Sequence, residues 1–463
     1  MDLFRKKDIS NQVDNTGHLR KCLSAFDLTF LGVGAIIGAG IFVLTGIVAA
    51  TQTGPAIVFS YVMAGLACAF SALSYAELAA SVGGCGSAYG YAYAGFGEFI
   101  AWIVGWDLLL EYSIAVSAVS VGWSGYFNDL LRALHIHIPR YLLHSPLEGG
   151  VINVLSIGII LILTGLLSVG VKSSSRFNNL MVLVKLLVIG LFIVIASAEV
   201  DVKNWVPFAP FGWTGVMEGA SLIFFAYVGF DAVSTAAEEA LHPQKDLPIG
   251  IIGSLVICTV LYIVVSGLLT GIVHYSFLNV SSPISHSLLI LGHKTAAGLV
   301  GVGAVAGLTT VMLVLFYGLS RVFFAMSRDG LLPRFFSHIH AKTLTPMRII
   351  LLCGVSMAVI AGFVPIGDLA ELVNIGTLFA FIIVCSGVLM LRYTRPEIHR
   401  PFKTPLMPYT PILGILCCAY LIYNLPWFTM LRFVVWMVVG IFIYFAYSRT
   451  NSELERTNEC PAK

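Results

Sequence analysis

The sequence predicts an all-α membrane protein with about twelve transmembrane helices, and three observations carry that expectation. Hydrophobic residues make up 58% of the 463 and charged residues 11%, against about 25% charged in soluble domains. So little charge cannot clothe a globule of this size, and lipid must be the solvent for much of the chain. Apolar runs of the length needed to cross a bilayer, about 20 residues, recur from end to end. Lysine and arginine, finally, collect on alternate connections, as membrane insertion requires.

The runs place spans at 26–50, 56–80, 98–126, 152–170, 179–198, 214–238, 249–273, 299–326, 347–365, 369–391, 409–424 and 430–448. Connections are short apart from the polar stretch 127–150, and no soluble domain is left over. The N-terminal segment 1–25 is polar to Lys21 and runs into the first span without a small-residue cleavage site, so that span is expected to be retained. With both termini cytoplasmic, nineteen Lys and Arg lie on cytoplasmic segments, including the tail 449–463, and five lie outside. An eleven- or thirteen-span count would spoil that bias.

Composition also narrows function. A net charge of +2 and the absence of a basic run interleaved with aromatics argue against nucleic acid. The cysteines sit mostly in apolar runs (Cys68, Cys258, Cys353, Cys385, Cys417, Cys418), without CxxC or Cys/His spacing. They read as small packing residues, and no metal or other cofactor is indicated.

An internal echo organises the chain. The first span contains Gly32, Gly34, Gly38 and Gly40 within nine residues, and the sixth contains Phe225-Ala226-Tyr227-Val228-Gly229-Phe230-Asp231. Each is followed by a proline expected to open the next span: Pro55, 17 residues beyond Gly38, and Pro248, 19 beyond Gly229. Glycine also permits close helix packing, but two interruptions in register point to an inverted-repeat transporter with its site at the membrane midplane. The expected repeats cover 26–198 and 214–391, with two additional helices over 409–448.

A broken helix leaves N–H and C=O groups that something must satisfy. A zwitterionic amino acid is a suitable partner. Its carboxylate can take N–H groups at the start of a half-helix, where the dipole is positive, and its ammonium can take freed carbonyls. Ile37, Gly38, Ala39, Gly40 and Ile41 are the expected carboxylate cradle, with glycine allowing close approach and positive φ. Phe225, Ala226, Tyr227, Gly229, Phe230 and Asp231 are expected around the ammonium. Phe230 is either a gate over the substrate or a core residue, and Asp231 either a site carboxylate or the N-cap of the resumed helix.

Gly34-Ala35-Ile36-Ile37-Gly38-Ala39-Gly40-Ile41-Phe42 resembles the first-helix signature of the amino acid–polyamine–organocation superfamily. Further matches run along the chain: Gly83-Gly84 with Tyr89 and Tyr91, Gly105-Trp106-Asp107-Leu108-Leu109-Leu110-Glu111-Tyr112, Ala237-Glu238-Glu239 with Pro243 and Pro248, Ser327-Arg328-Asp329-Gly330-Leu331-Leu332-Pro333, and Arg400-Pro401-Phe402-Lys403-Thr404-Pro405. Within the superfamily the chain is most similar to bacterial members of the cationic amino acid transporter family. The resemblance implies a leucine-transporter-like fold of two inverted five-helix repeats plus two helices. It also implies proton-linked uptake of amino acids by alternating access, and no enzymatic chemistry. Members that take cationic substrates tend to present a small residue to the pocket from span 8. The equivalent expected here is Met312, which would shorten the pocket and favour small or medium neutral amino acids.

Four ionisable residues stand well inside the spans, where each costs about 2.5–3.5 kcal/mol on insertion scales. Glu77 is expected to snorkel at the cytoplasmic end of span 2. Glu111, in mid-span 3, has either a structural hydrogen bond to a broken helix or a part in coupling. Asp231 follows the second break. Lys185 lies in an apolar run without a charged neighbour, and either snorkels or acts. The resemblance implies that it acts: in proton-linked relatives a span 5 lysine places its ammonium where sodium-coupled relatives hold sodium. Such an ammonium can donate to carbonyls freed in helix 1 and hold one conformation until it loses its proton. Lys185 is therefore the expected coupling residue, with Glu111 as a second carrier.

The expected partners are an amino acid, a proton and the lipid bilayer of the plasma membrane, without nucleic acid; a small membrane subunit is left unspecified by the residues. Antiport of two amino acids, or carriage of a cationic amino acid or polyamine, stays open beside proton symport. A channel is a remote alternative, because a filter would be repeated by oligomeric symmetry and this repeat is inverted within one chain.

Overall fold

The computed structural model describes Arg5 and residues 23–81, 87–169, 175–237, 240–340, 343 and 345–453. Gly83-Gly84, Glu238-Glu239, Lys172, Lys342, most of the 1–25 segment and the tail beyond 453 lie outside the described residues.

The first helix is interrupted, with α1a over Ala25–Ile36 and α1b over residues 40–53. Then follow α2 (Ile57–Ser81), the short helix Ser87–Gly95, α3 (Glu98–Ala133), α4 (Val154–Ser168) and α5 (Ser175–Ala198). The sixth is again interrupted, with α6a over Gly212–Ile223, a 3-10 turn over Phe224–Tyr227 and α6b over Ala232–Thr235. Beyond it lie α7 (Pro243–Ile272), the short helix Pro283–Ile290, α8 (Lys294–Arg328), α9 (Met347–Phe363), α10 (Ile366–Thr394), α11 (Tyr409–Tyr423) and α12 (Trp427–Ile443). Among the described residues there is no strand beyond one isolated bridge between Leu23 and Ala240. Among the described residues, eight helical stretches are long and apolar enough to cross a membrane, and four shorter apolar helices accompany them.

Local chemistry explains several boundaries. Ser24 caps α1a in a reciprocal box with Asp27, which satisfies two donors the helix start would leave free. Asn179 of α5 donates to the other Asp27 oxygen at 2.8 Å, tying the two helices at this end. Pro55 sits in a 3-10 turn just ahead of α2. Pro248, in contrast, lies inside α7, which begins at Pro243. The proline expected to open that helix is thus one turn too late, because Pro243 already takes the first position, where a missing N–H costs nothing. The stretch 127–150 is also shorter as a loop than expected, since α3 continues to Ala133 through Asn128, Asp129 and Arg132. Polar residues end an apolar run before they end a helix.

The packing centres on the two interrupted helices. α8 lies along α3, and α7 lies along α1a and α2. Both interrupted helices are buried at their breaks. Outward faces are apolar: α12 alone exposes Trp427, Phe428, Val434, Val435, Val438 and Phe442, a surface suited to hydrocarbon.

One expectation about charge is corrected. Glu77 does not snorkel. It is 2% exposed and accepts from Arg392 Nε at 2.9 Å and Nη2 at 2.7 Å, with Arg400 at 3.5 Å and the Thr404 N–H at 2.7 Å. Arg392 comes from the end of α10, and the Arg-Pro-Phe-Lys-Thr-Pro run folds back onto α2 to supply Arg400 and Thr404, which is how the carboxylate stays buried.

Candidate functional site

The first break opens where Ile37 leaves the helical region, at φ −72° and ψ 95°. Gly38 and Ala39 follow, and the helix resumes in a wide π-type turn over Gly40–Leu44 that includes Ile41. The N–H groups at the start of a resumed helix have no partner four residues back within it. Its carbonyls are taken from three sides. Lys185 Nζ donates to Gly34 O at 2.7 Å and Ile37 O at 3.1 Å. Tyr262 Oη donates to Ile36 O at 2.9 Å, and Tyr126 Oη to Phe42 O at 2.7 Å.

The second break passes from the 3-10 turn containing Phe225, Ala226 and Tyr227 to Val228, whose ψ is 133°. Gly229 then adopts φ +115°, a conformation closed to ordinary side chains. Here the expectation of positive φ holds, whereas neither Gly38 nor Gly40 has it. In the first break glycine serves close approach alone. A Cβ on Gly40 would stand 2.3 Å from Ala226 Cα, and one on Gly229 would stand 3.1 Å from the Ala35 carbonyl group. The two breaks therefore press on each other, backbone to backbone. Tyr262 joins them, since its hydroxyl reaches Ala226 O at 2.8 Å as well as Ile36 O.

The expected site residues do not all converge. Lys185 is fully buried on α5, with its stem against Gly307 of α8, where a Cβ would meet Lys185 Cε at 3.0 Å. Asp231 occupies the cap position of α6b without a capping hydrogen bond and instead accepts from Tyr112 Oη at 2.8 Å. Glu111 lies within charge range of Asp231 and beside Thr377 of α10. Phe230 is fully buried in an aromatic cluster, 5.0 Å from Phe381 and 5.7 Å from Tyr75 between ring centroids. Met312 is buried on α8, but its neighbour Val311 is the residue whose methyls face Gly38, at 3.4 and 3.5 Å from a Cβ there.

Three further residues carry weight that the sequence reading did not assign: Val311, Tyr262 and Asp107. A helix advances 100° per residue, so Val311 and the expected Met312 present adjoining faces of α8, and Val311 is the one against Gly38. Tyr262 is a lone tyrosine in an apolar run and gives no signal. Asp107 was readable, because it stands four residues before Glu111 and shares its helix face. A wholly apolar groove of about 410 Å³, lined among others by Pro55, Trp205, Phe208 and Ile263, lies apart from the breaks and contains none of the expected site residues.

The geometry brings two helix breaks face to face, with the Lys185 ammonium on carbonyls of the first. Comparison with known proteins gives the same direction. Residues 23–448 match the amino acid permease family. The chain is 49% identical over 458 residues to the methylthioribose transporter of Bacillus subtilis (strain 168), covering 98% of this chain and 99% of that one. It is 50% identical over 462 residues to the branched-chain amino acid permease BcaP of the same organism, again covering 98% and 99%. To the vacuolar cationic amino acid transporter 4 of Arabidopsis thaliana it is 39% identical over 407 residues, 85% of this chain and 68% of that one. The chain belongs to the amino acid permease family, and it is a multi-pass membrane transporter rather than an enzyme.

Proposed function

We propose that this transporter carries neutral amino acids of small to medium size, in symport with protons, by alternating access. The facing breaks carry the reading. A substrate carboxylate is held by N–H groups over Ile37–Ile41, and its ammonium by carbonyls over 225–231, with Asp231 adding charge. Both are backbone interactions, so the side chain of the substrate is left to be selected by its surroundings. Val311 facing Gly38, the buried Met312 and the Phe230 cluster make those surroundings apolar. The 50% identity to a branched-chain amino acid permease supports the same choice.

The architecture goes with this reading: twelve spans, two inverted repeats over 26–198 and 214–391, two further helices over 409–448, and both termini in the cytoplasm. The gain from two such repeats is a site between them that can open to either side while its own contacts persist. Lys185 supplies coupling. Its ammonium closes carbonyls of α1a, as a bound sodium ion would, and loss of its proton frees them. A proton drives the cycle only if it binds the two states with different affinity, and a lysine whose acceptors exist only at the break meets that condition.

The 49% identity to a methylthioribose transporter favours a second reading, carriage of a neutral thiosugar. Such a substrate has neither carboxylate nor ammonium. The test is binding to purified protein, screened across all amino acids and methylthioribose at two pH values, followed by counterflow from preloaded vesicles. Leucine, isoleucine, valine or alanine should bind and exchange, with arginine weaker. Binding of methylthioribose alone would overturn the amino acid reading, and absence of counterflow would overturn carriage.

A further inference from the structure

Besides Lys185, the spans bury a second set of ionisable groups, of which Asp107 has no task in the reading above. Asp107 and Glu111 stand one turn apart on α3, on the same face. Asp231 comes to the same place from the α6 break, and Glu111 is within charge range of both. All three are 1% exposed or less. Both oxygens of Asp107, Oε1 of Glu111 and Oδ1 of Asp231 have no hydrogen-bond partner among the described residues. Buried carboxyl oxygens are ordinarily satisfied, and elsewhere in this protein they are: Glu77 meets two arginines and an N–H.

The neighbouring elements do not supply what is missing. α10 brings Thr377, whose hydroxyl meets Glu111 but not Asp107, and Gly376, where a Cβ would stand 2.8 Å from Asp107 Oδ1. α2 brings Tyr75, and α3 itself brings Tyr112, whose hydroxyl is already given to Asp231. α8 brings Gly318 beside Tyr112, and α12 brings Trp436, stacked on Trp106. Among the described residues no cationic side chain lies in charge range of Asp107 or Glu111. An Asp107 carboxylate so placed has neither a hydrogen-bond donor nor a counterion among the described residues. A proton on it removes that charge and makes it a donor.

We propose that Asp107 is a second proton-holding site of the transport cycle, exchanging its proton with Glu111 one turn away. The step breaks one O–H bond on the Glu111 carboxyl and forms one on an Asp107 carboxylate oxygen, directly or through one water. Nothing is oxidised or reduced. Glu111 communicates with the α6 break through Asp231, and Asp107 presses on the backbone of α10 at Gly376. A proton passing between them thus moves charge from the break to α10. This rests on the proton-symport reading above.

The experiment uses the full chain in proteoliposomes, with labelled leucine and a pH-indicator dye, comparing Asp107→Asn, Asp107→Glu and the unmodified protein. Asparagine keeps the shape but cannot exchange a proton. It should bind and counterflow leucine within about twofold of the unmodified protein, while gradient-driven accumulation falls about tenfold, in the range of ordinary coupling effects. Asp107→Glu should restore accumulation with a displaced pH profile. An asparagine variant that accumulates leucine normally overturns the proposal, and so does one that is folded but loses counterflow as well, which marks a structural role. If the asparagine variant does not fold, the glutamate variant decides, and an unchanged pH profile there overturns the proposal. If the unmodified protein itself ignores the gradient, the symport reading falls and this inference with it. If only the variants behave normally, this inference alone falls.

Discussion

The two broken helices meet one physical problem with different means. Each must leave backbone groups unpaired in a membrane and still persist. In α1 the chain keeps negative φ throughout the break, and its carbonyls are taken by side chains from three other helices: Lys185, Tyr262 and Tyr126. In α6 the chain turns sharply through Gly229 at φ +115°, and Asn374 of α10 takes the carbonyls of Ser221 and Leu222 at 2.7 and 2.9 Å. The α1 break is therefore held by a titratable group, and the α6 break by backbone geometry and a neutral amide. The difference is one of means: an ammonium closes carbonyls at the first break, whereas a glycine turn beside the Asp231 carboxyl shapes the second, and the symport reading proposed above places the proton at the first.

The largest expected effect breaks the contact between the two. Gly40→Val places branched carbons where Ala226 Cα already lies within 2.3 Å of the added Cβ. Overpacking of this kind costs about 1–3 kcal/mol or more. The variant should lose transport and melt several degrees lower, by differential scanning fluorimetry. Gly38→Ala meets only the Val311 methyls at 3.4 Å and should fold normally while weakening substrate binding. Equal stability of the two variants would show that the breaks do not bear on each other as described.

Next in size is the hydroxyl that joins them. Tyr262→Phe leaves Ile36 O and Ala226 O without that donor, a loss of about 1–3 kcal/mol for buried acceptors. Because it serves both breaks at once, the loss should fall on counterflow rate and substrate affinity together. A variant with lowered stability but unaltered affinity would assign Tyr262 to packing alone.

How much of this was legible in the sequence follows from the range of each signal. Helix positions were readable from the apolar runs. The breaks were readable from clustered glycine, and Lys185 from being alone in an apolar run. Partners distant along the chain were not. Glu77 finds Arg392, Arg400 and Thr404 more than 300 residues away, and nothing local in the sequence marks that fold-back. The rotation of α8 was readable only to about a quarter turn, so the sequence pointed to Met312 without showing that its neighbour Val311 faces Gly38. Asp107 was visible within its motif and was passed over, although its spacing from Glu111 placed both on one face.

The smallest effect sharpens that last distinction. Removing methyls that line a substrate pocket changes discrimination by about 1–3 kcal/mol per methylene-sized change. Val311→Ala should move preference from valine toward leucine or phenylalanine in competition assays. Met312→Ser should change it less, and should admit arginine only if the methionine closes the far end of the pocket. A larger effect at Met312 than at Val311 would return the pocket wall to the residue expected from sequence.

The central claim is that the proton acts at the α1 break through Lys185, and gradient-driven uptake in proteoliposomes tests it most directly. The unmodified protein should concentrate labelled leucine in response to an inward proton gradient and be indifferent to sodium. Lys185→Met keeps a long apolar stem in the space beside Gly307 and removes the ammonium from Gly34 O and Ile37 O. It should lose the response to the gradient, whatever substrate binding remains. A Lys185→Met protein that still concentrates leucine when the gradient is applied would contradict the account and return this lysine to a structural role.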